Sequence, residues 1–204
     1  MDSIGVDNSD LRVIGALEDD DRRELLTLAR TAISDAATTG ARSLPDLAGL
    51  PPRLREPGTS FVTLRRAGEP VGTTGDVASL RPLGIDVAAN ALTAAFDDPR
   101  IPPIESSDLA ELSIEISILG PLVPTGSTSF DDLRSRIDGK HEGLVVGDAE
   151  RRVTFLPAVW GEVRDTDDFL ALLWRKAGLA PGEWSPELST ATYRAETISD
   201  RPPS

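Results

Sequence analysis

Leu112-Ser113-Ile114-Glu115-Ile116-Ser117-Ile118 alternates apolar and polar residues at every step, the period of two that buries one face of a β-strand and leaves the other polar. Outward from this strand, Ser60 to Arg66 reads as another, and Leu144 to Val146 with Arg152 to Phe155 flank Gly147-Asp148-Ala149-Glu150 as a hairpin. Ala191 to Ile198 reads as a last strand, and Pro70 to Gly75 as a glycine-flanked turn. Between these the spacing changes to that of helices. Asp19 to Asp21 precede Leu25, Leu28, Ala29, Ala32, Ile33 and Ala36 and predict a helix stopping near Gly40. Leu83, Val87, Asn90, Ala91, Ala94 and Ala95 predict a second helix ending before Pro99, its small alanines suited to close packing on a sheet. Ser129 with Asp132 opens a short third helix carrying Phe130, Leu133 and Ile137, and a fourth runs from about Asp167 to Gly178. Pro45, Pro51, Pro52 and Pro57 make the stretch after Gly40 a helix-free connection. Helices and strands mix without a regular βαβ rhythm, which predicts an α+β fold with a mainly antiparallel sheet flanked by helices.

The 204 residues, 39% of them hydrophobic, suffice for one domain with a buried core. The expected division is an acidic flexible lead over 1–18, a single domain over 19–198 and a flexible tail over 199–204. The sequence has no cysteine, which removes disulfides, thiolate catalysis, zinc-thiolate sites and iron–sulfur clusters. No apolar run approaches the roughly 20 residues that span a bilayer, and the first ten residues have neither a basic residue nor an apolar core. The expectation is a cytoplasmic protein without a membrane partner. With 34 acidic against 21 basic side chains the net charge is −13, a field that repels phosphate backbones, so nucleic acid is not expected as a partner.

Gly72-Thr73-Thr74-Gly75 is the most suggestive local feature, because two glycines around two hydroxyls can bring backbone amides and side-chain oxygens close to a bound group. A tight turn explains the same residues. They also resemble the GxxG loop of RNA-binding KH modules, which works in basic surroundings that this chain lacks. Thr73 or Thr74 as a nucleophile would need a base within hydrogen-bond reach, and the one histidine is His141, in a polar loop bounded by Gly139 and Gly143. One histidine also rules out multi-histidine metal sites, and no carboxylate loop has the spacing of a magnesium or calcium site. No metal or cofactor is predicted. Asp97-Asp98-Pro99-Arg100 is explained either as a solvated helix end or as an arginine held by its own carboxylate to grip a planar anion. Glu115 stands on the polar face of the alternating strand, where it faces solvent or lines a cleft, and Trp160 reads as core.

Taken in order, Ser60-Phe61-Val62-Thr63-Leu64, Asp86-Val87, Asn90-Ala91, Ala94-Ala95-Phe96, Asp98-Pro99-Arg100, Glu115-Ile116-Ser117-Ile118-Leu119, Gly143-Leu144-Val145-Val146, Thr154-Phe155-Leu156-Pro157 and Lys176-Ala177-Gly178-Leu179 resemble the AMMECR domain family over roughly residues 20–198. The resemblance implies a two-lobed α+β domain and a partner of the Memo or radical-SAM type. The family's hallmark reads Leu-Arg-Gly-Cys-Ile-Gly, and Pro70-Val71-Gly72-Thr73-Thr74-Gly75 resembles it with both glycines kept, valine in place of the arginine and threonine in place of the cysteine. A thiol mechanism implied by that cysteine has no sulfur here.

Three functions follow as expectations. The favoured one is an accessory or binding module in which Gly72, Thr73, Thr74, Gly75, Asp98, Arg100 and Glu115 hold a small molecule or a partner segment. The second is a hydrolase or transferase with catalytic candidates Thr73, Thr74 and Glu115, the hydroxyl activated by a carboxylate or by His141. The third is a protein whose former active site has decayed.

Overall fold

The alternating stretch is a strand over Leu112–Leu119. In the computed structural model, which describes residues 17–137, 141–148 and 152–200, the elements follow as α1 (Asp19–Thr39), β1 (Thr59–Arg66), β2 (Glu69–Gly75), α2 (Leu83–Phe96), β3 (Leu112–Leu119), β4 (Val123–Pro124), α3 (Phe130–Arg136), β5 (Gly143–Gly147), β6 (Arg152–Phe155), α4 (Thr166–Ala177), β7 (Ser189–Tyr193) and β8 (Ala195–Ser199). This is an α+β fold with two four-stranded sheets, ordered β2-β1-β3-β8 and β4-β7-β5-β6. Among the described residues, 17–119 with 196–200 form one compact unit and Gly120–Ala195 the other. The second unit is inserted in the chain between β3 and β8. No helix among the described residues is long and apolar enough to cross a membrane.

In the first unit the period of two decides the layers. Val62 and Leu64 of β1 and Leu112, Ile114 and Ile116 of β3 are buried in one core with Leu83, Val87, Ala91 and Ala94 of α2 and Leu25, Ala29 and Ile33 of α1. Alanines 32, 36 and 88 form a second contact between the two helices with Leu92, as small residues allow. Leu17 is buried in this core and the Asp21 carboxylate accepts the Glu18 N–H at 3.1 Å, so Leu17 and Glu18, within the stretch expected as a lead, are part of the packed unit. At the other end Asp200 donates its N–H to the Ile114 carbonyl and accepts the Ile114 N–H on Oδ1, inside the expected tail. The residues before 17 and after 200 lie outside the described residues, as do 149–151 at the tip of the expected hairpin.

In the inserted unit, Phe169, Leu170, Leu173 and Trp174 of α4 pack with Leu133 of α3 and with Leu144 and Val146 of β5. Ser129 caps α3 by accepting the Asp132 N–H at 3.1 Å. Trp160 stacks on the buried Phe169 ring at 3.8 Å and donates to the Glu142 carbonyl, part of this packing.

Three expectations are corrected. Pro70 to Gly75 is not a turn but most of β2. The chain reverses earlier, at Ala67 and Gly68, both at positive φ, the conformation of a two-residue hairpin loop, and an alanine there gives little sequence signal. Ala191 to Ile198 is two strands in different sheets, separated at Arg194, whose carbonyl accepts the Gly120 N–H at 2.8 Å. No glycine or proline marks that break, so the alternation reads through it. The proline-rich connection is free of α-helix but holds two short 3-10 turns, Leu47–Gly49 and Pro52–Arg55.

The polar group that fixes α2 against β1 is Asp86, fully buried in the first turn of the helix. Its Oδ2 accepts the Ser60 N–H at 2.9 Å, the Ser60 Oγ at 2.7 Å and the Asn90 Nδ2 at 3.0 Å. Its Oδ1 accepts the Ser79 Oγ at 2.6 Å and the Arg81 Nε at 3.1 Å. A buried carboxylate is tolerated only when paired and hydrogen-bonded in this way. Asp86→Ala would remove the acceptor of the Ser60 amide and of four side-chain donors, and we expect it to lower the unfolding free energy by about 3 to 5 kcal/mol, measured by urea denaturation.

Candidate functional site

Strand alternation divides the four hallmark-like residues between two faces. Gly72 pairs with Leu64 and Thr74 with Val62, whose side chains are in the core, so Gly72 and Thr74 lie on the α2 side. Thr73 pairs with Thr63 and Gly75 with Phe61 on the opposite face. Both glycines are required by close approach. A Cβ on Gly72 would stand 2.6 Å from the Ala94 carbonyl oxygen in the last turn of α2, and one on Gly75 would stand 2.4 Å from the Phe61 ring. Each glycine therefore meets a protein atom where the sequence reading placed a ligand.

The approach at Gly72 brings the residues that follow α2 beside β2. The Thr73 N–H donates to Asp98 Oδ2 at 3.2 Å, and the Thr73 carbonyl accepts Arg100 Nη2 at 3.1 Å. Asp98 and Arg100 are bonded to each other through Nε to Oδ1 at 2.8 Å and Nη2 to Oδ2 at 2.5 Å, and the Arg100 N–H adds a bond to Oδ1 at 3.0 Å. The side-chain bonds from Arg100 hold the Asp98 carboxyl well below the ordinary carboxylate range, helped by the Arg100 and Thr73 amides and opposed by burial. The same pair raises the Arg100 guanidinium. Two of the three guanidinium nitrogens are thus engaged with the protein itself. Asp97, next in the chain, pairs instead with Arg42 at 2.7 Å.

On the face away from α2, Thr73 of β2, Thr63 of β1 and Glu115 of β3 stand in one cross-strand row. The Thr73 hydroxyl donates to the Thr63 Oγ1 at 3.2 Å, and Arg65, next but one along β1, approaches Glu115 at 3.4 Å. Thr63 is buried, whereas Thr73, Arg65 and Glu115 are half-buried. The row offers a hydroxyl, a carboxylate and a guanidinium within one sheet surface. Among the described residues, no hydrogen bond joins the Thr73 hydroxyl to a base. His141 is exposed and belongs to the inserted unit, and Lys140 lies outside the described residues. Thr63 and Arg65 were missed by sequence reasoning although the strand was not: once β1 and β3 are paired in register, the alternation that buries Val62 and Leu64 necessarily puts Thr63 and Arg65 beside Glu115.

Among the described residues no cluster of three or more metal-ligating side chains exists. A cavity of about 380 Å³ in the inserted unit is lined by Asp131, Arg134, Ser135, Asp165, Thr166 and Asp167, but Arg134 is satisfied there by both carboxylate oxygens of Asp167.

A family model described as AMMECR1 matches residues 26–198. A protein of Methanothermobacter thermautotrophicus is 33% identical over 188 residues, covering 90% of this chain and 96% of its own. One of Thermococcus onnurineus is 36% identical over 179 residues, covering 83% of this chain and 84% of its own. Among solved structures, the crystal structure of the uncharacterized protein PH0010 from Pyrococcus horikoshii is similar with a TM-score of 0.81 and 29% identity, covering 92% of this chain and 95% of that one.

Because a Cβ at residue 72 would press on backbone rather than on a movable side chain, Gly72→Ala should displace the end of α2. We expect a loss of roughly 1 to 3 kcal/mol in thermal or urea unfolding, with the nuclear magnetic resonance shifts of Thr73, Asp98 and Arg100 moving together.

Proposed function

The chain belongs to the AMMECR1 family, and from that premise we propose that it is a binding module that holds a small polar molecule without covalent chemistry, on the row Thr73, Glu115 and Arg65. The observation that carries this reading is the direction of the Thr73 hydroxyl, which donates to another hydroxyl, that of the buried Thr63. A threonine nucleophile needs a base to take its proton, and a neutral hydroxyl of similar acidity does not do so. What the row supplies is recognition: an acceptor on Thr73, a carboxylate on Glu115 and a guanidinium on Arg65, spaced across adjacent strands. A molecule with hydroxyl or amide groups on one edge matches that set, displacing the 3.4 Å contact between Arg65 and Glu115 as it binds.

Asp98 and Arg100 act in this reading on Thr73 and not on the ligand, since their bonds run to the Thr73 backbone and to each other. Gly72 and Gly75 act on packing. The binding set expected from the sequence is thereby narrowed to Thr73 and Glu115 and extended by Arg65, with Thr63 beneath them.

Native mass spectrometry of the protein against a library of small polar metabolites tests the reading. A compound held non-covalently at one per chain is expected, with affinity reduced roughly tenfold or more in Glu115→Gln and in Thr73→Val, the loss for a hydrogen bond to or beside a charged group. A mass increment that survives denaturation and maps to Thr73 contradicts it, as does a bound compound indifferent to both substitutions.

A further inference from the structure

β2 is one of the two outer strands in the order β2-β1-β3-β8. An outer strand presents amides and carbonyls on its free side, and these are a template for pairing with another chain. Along β2 that template is interrupted three times. Pro70 has no N–H to offer. The pairing register with β1 then slips between Leu64 and Arg65, leaving Val71 without an opposite residue, and such a bulge bends the strand. The third interruption is at Thr73. In a hydrogen-bonded antiparallel pair, each residue gives its opposite one acceptor and one donor. Asp98 Oδ2 supplies the acceptor for the Thr73 N–H and Arg100 Nη2 the donor for its carbonyl, the two functions that a residue of a neighbouring strand would supply.

We infer that Asp98 and Arg100 form an edge lock, a side-chain substitute for a neighbouring strand that prevents β2 from pairing with β2 of a second copy of this chain. Pro70 and the bulge close the first half of the strand, and the lock closes the second. Its members are tied to each other by two side-chain bonds and one backbone bond, and the Asp98 side chain is only 3% exposed, so an approaching strand meets a pair already satisfied and held. Gly72 is part of the device because it admits the end of α2 that carries the pair.

The test combines residue-resolved amide exchange with sedimentation velocity over a range of concentrations, on the wild-type chain and on Asp98→Ala and Arg100→Ala. In the wild type the Thr73 amide is protected although it belongs to an outer strand. In Asp98→Ala that protection is lost at low concentration, and a self-associated species absent from the wild type at the same concentration appears and restores protection along β2. Arg100→Ala keeps the acceptor for the Thr73 amide and removes the donor to its carbonyl together with the two side-chain bonds that hold Asp98, so it carries the test alone if Asp98→Ala does not fold; Arg100→Lys, which returns a donor, should reverse the association. An unprotected Thr73 amide in the wild type overturns the inference. So do folded variants that sediment as the wild type does, or an association that protects residues other than those of β2.

Discussion

The carbonyl oxygen of Ala94 lies so near the Cα of Gly72 that a Cβ there would come within 2.6 Å of it, and this approach sets where Asp98 and Arg100, just after α2, are placed. At its other end the helix is tied to β1 through Asp86, whose two oxygens gather donors from Ser60, Ser79, Arg81 and Asn90. Between these points α2 lies across the sheet on a surface of small side chains, Val87, Ala91 and Ala94, against Val62 and Leu64. Apolar burial supplies the attraction and has no preferred direction; the buried carboxylate and the missing Cβ supply the register. From that register Asp98 and Arg100 reach the backbone of Thr73, and the hydroxyl of Thr73 comes to rest over Thr63.

The two ends of α2 differ in kind. Asp86 is a polar group buried where only several simultaneous donors make its charge tolerable. Asp98 is held chiefly by one partner, a guanidinium that is itself largely in solvent, and is linked to the sheet through the Thr73 amide. That contrast separates framework from site. A residue with every bond directed into the core positions the helix, whereas a pair at the strand's rim fixes the backbone of one residue, Thr73, whose hydroxyl bonds to Thr63.

Much of the fold was legible because it rests on periodicity. The alternation at Leu112 to Ile118, the run from Leu25 to Ala36 and the cap at Ser129 all specify their elements locally. Local pattern did not reveal the hairpin at Ala67-Gly68, where an alanine takes a positive φ, or the change of sheet at Arg194, which depends on partners distant in sequence. The candidate site was legible in composition and misread in arrangement. Gly72, Thr73, Thr74 and Gly75 are consecutive and suggest one surface, but an extended strand sends them alternately to opposite sides. Thr63 and Arg65 carry no motif; only the register of β1 against β2 and β3 makes them neighbours of Thr73 and Glu115. Asp98 with Arg100 was recognisable as a pair, but that its bonds run to a strand edge could be known only after β2 was placed there.

The most direct test of the link between Asp98, Arg100 and Thr73 is a carboxyl titration of Asp98 by nuclear magnetic resonance, followed alongside stability as pH falls. Side-chain bonds from Arg100 and amide bonds from Arg100 and Thr73 lower its folded-state pKa, so the stabilisation is complete at neutral pH, above the unfolded value of about 4. It declines as pH falls from there through the depressed folded value. Asp98 is expected to remain ionised at pH values where exposed aspartates have taken up protons, and its eventual protonation to coincide with a shift of the Thr73 amide. An Asp98 that titrates with the exposed aspartates, leaving the Thr73 amide unchanged, would contradict it.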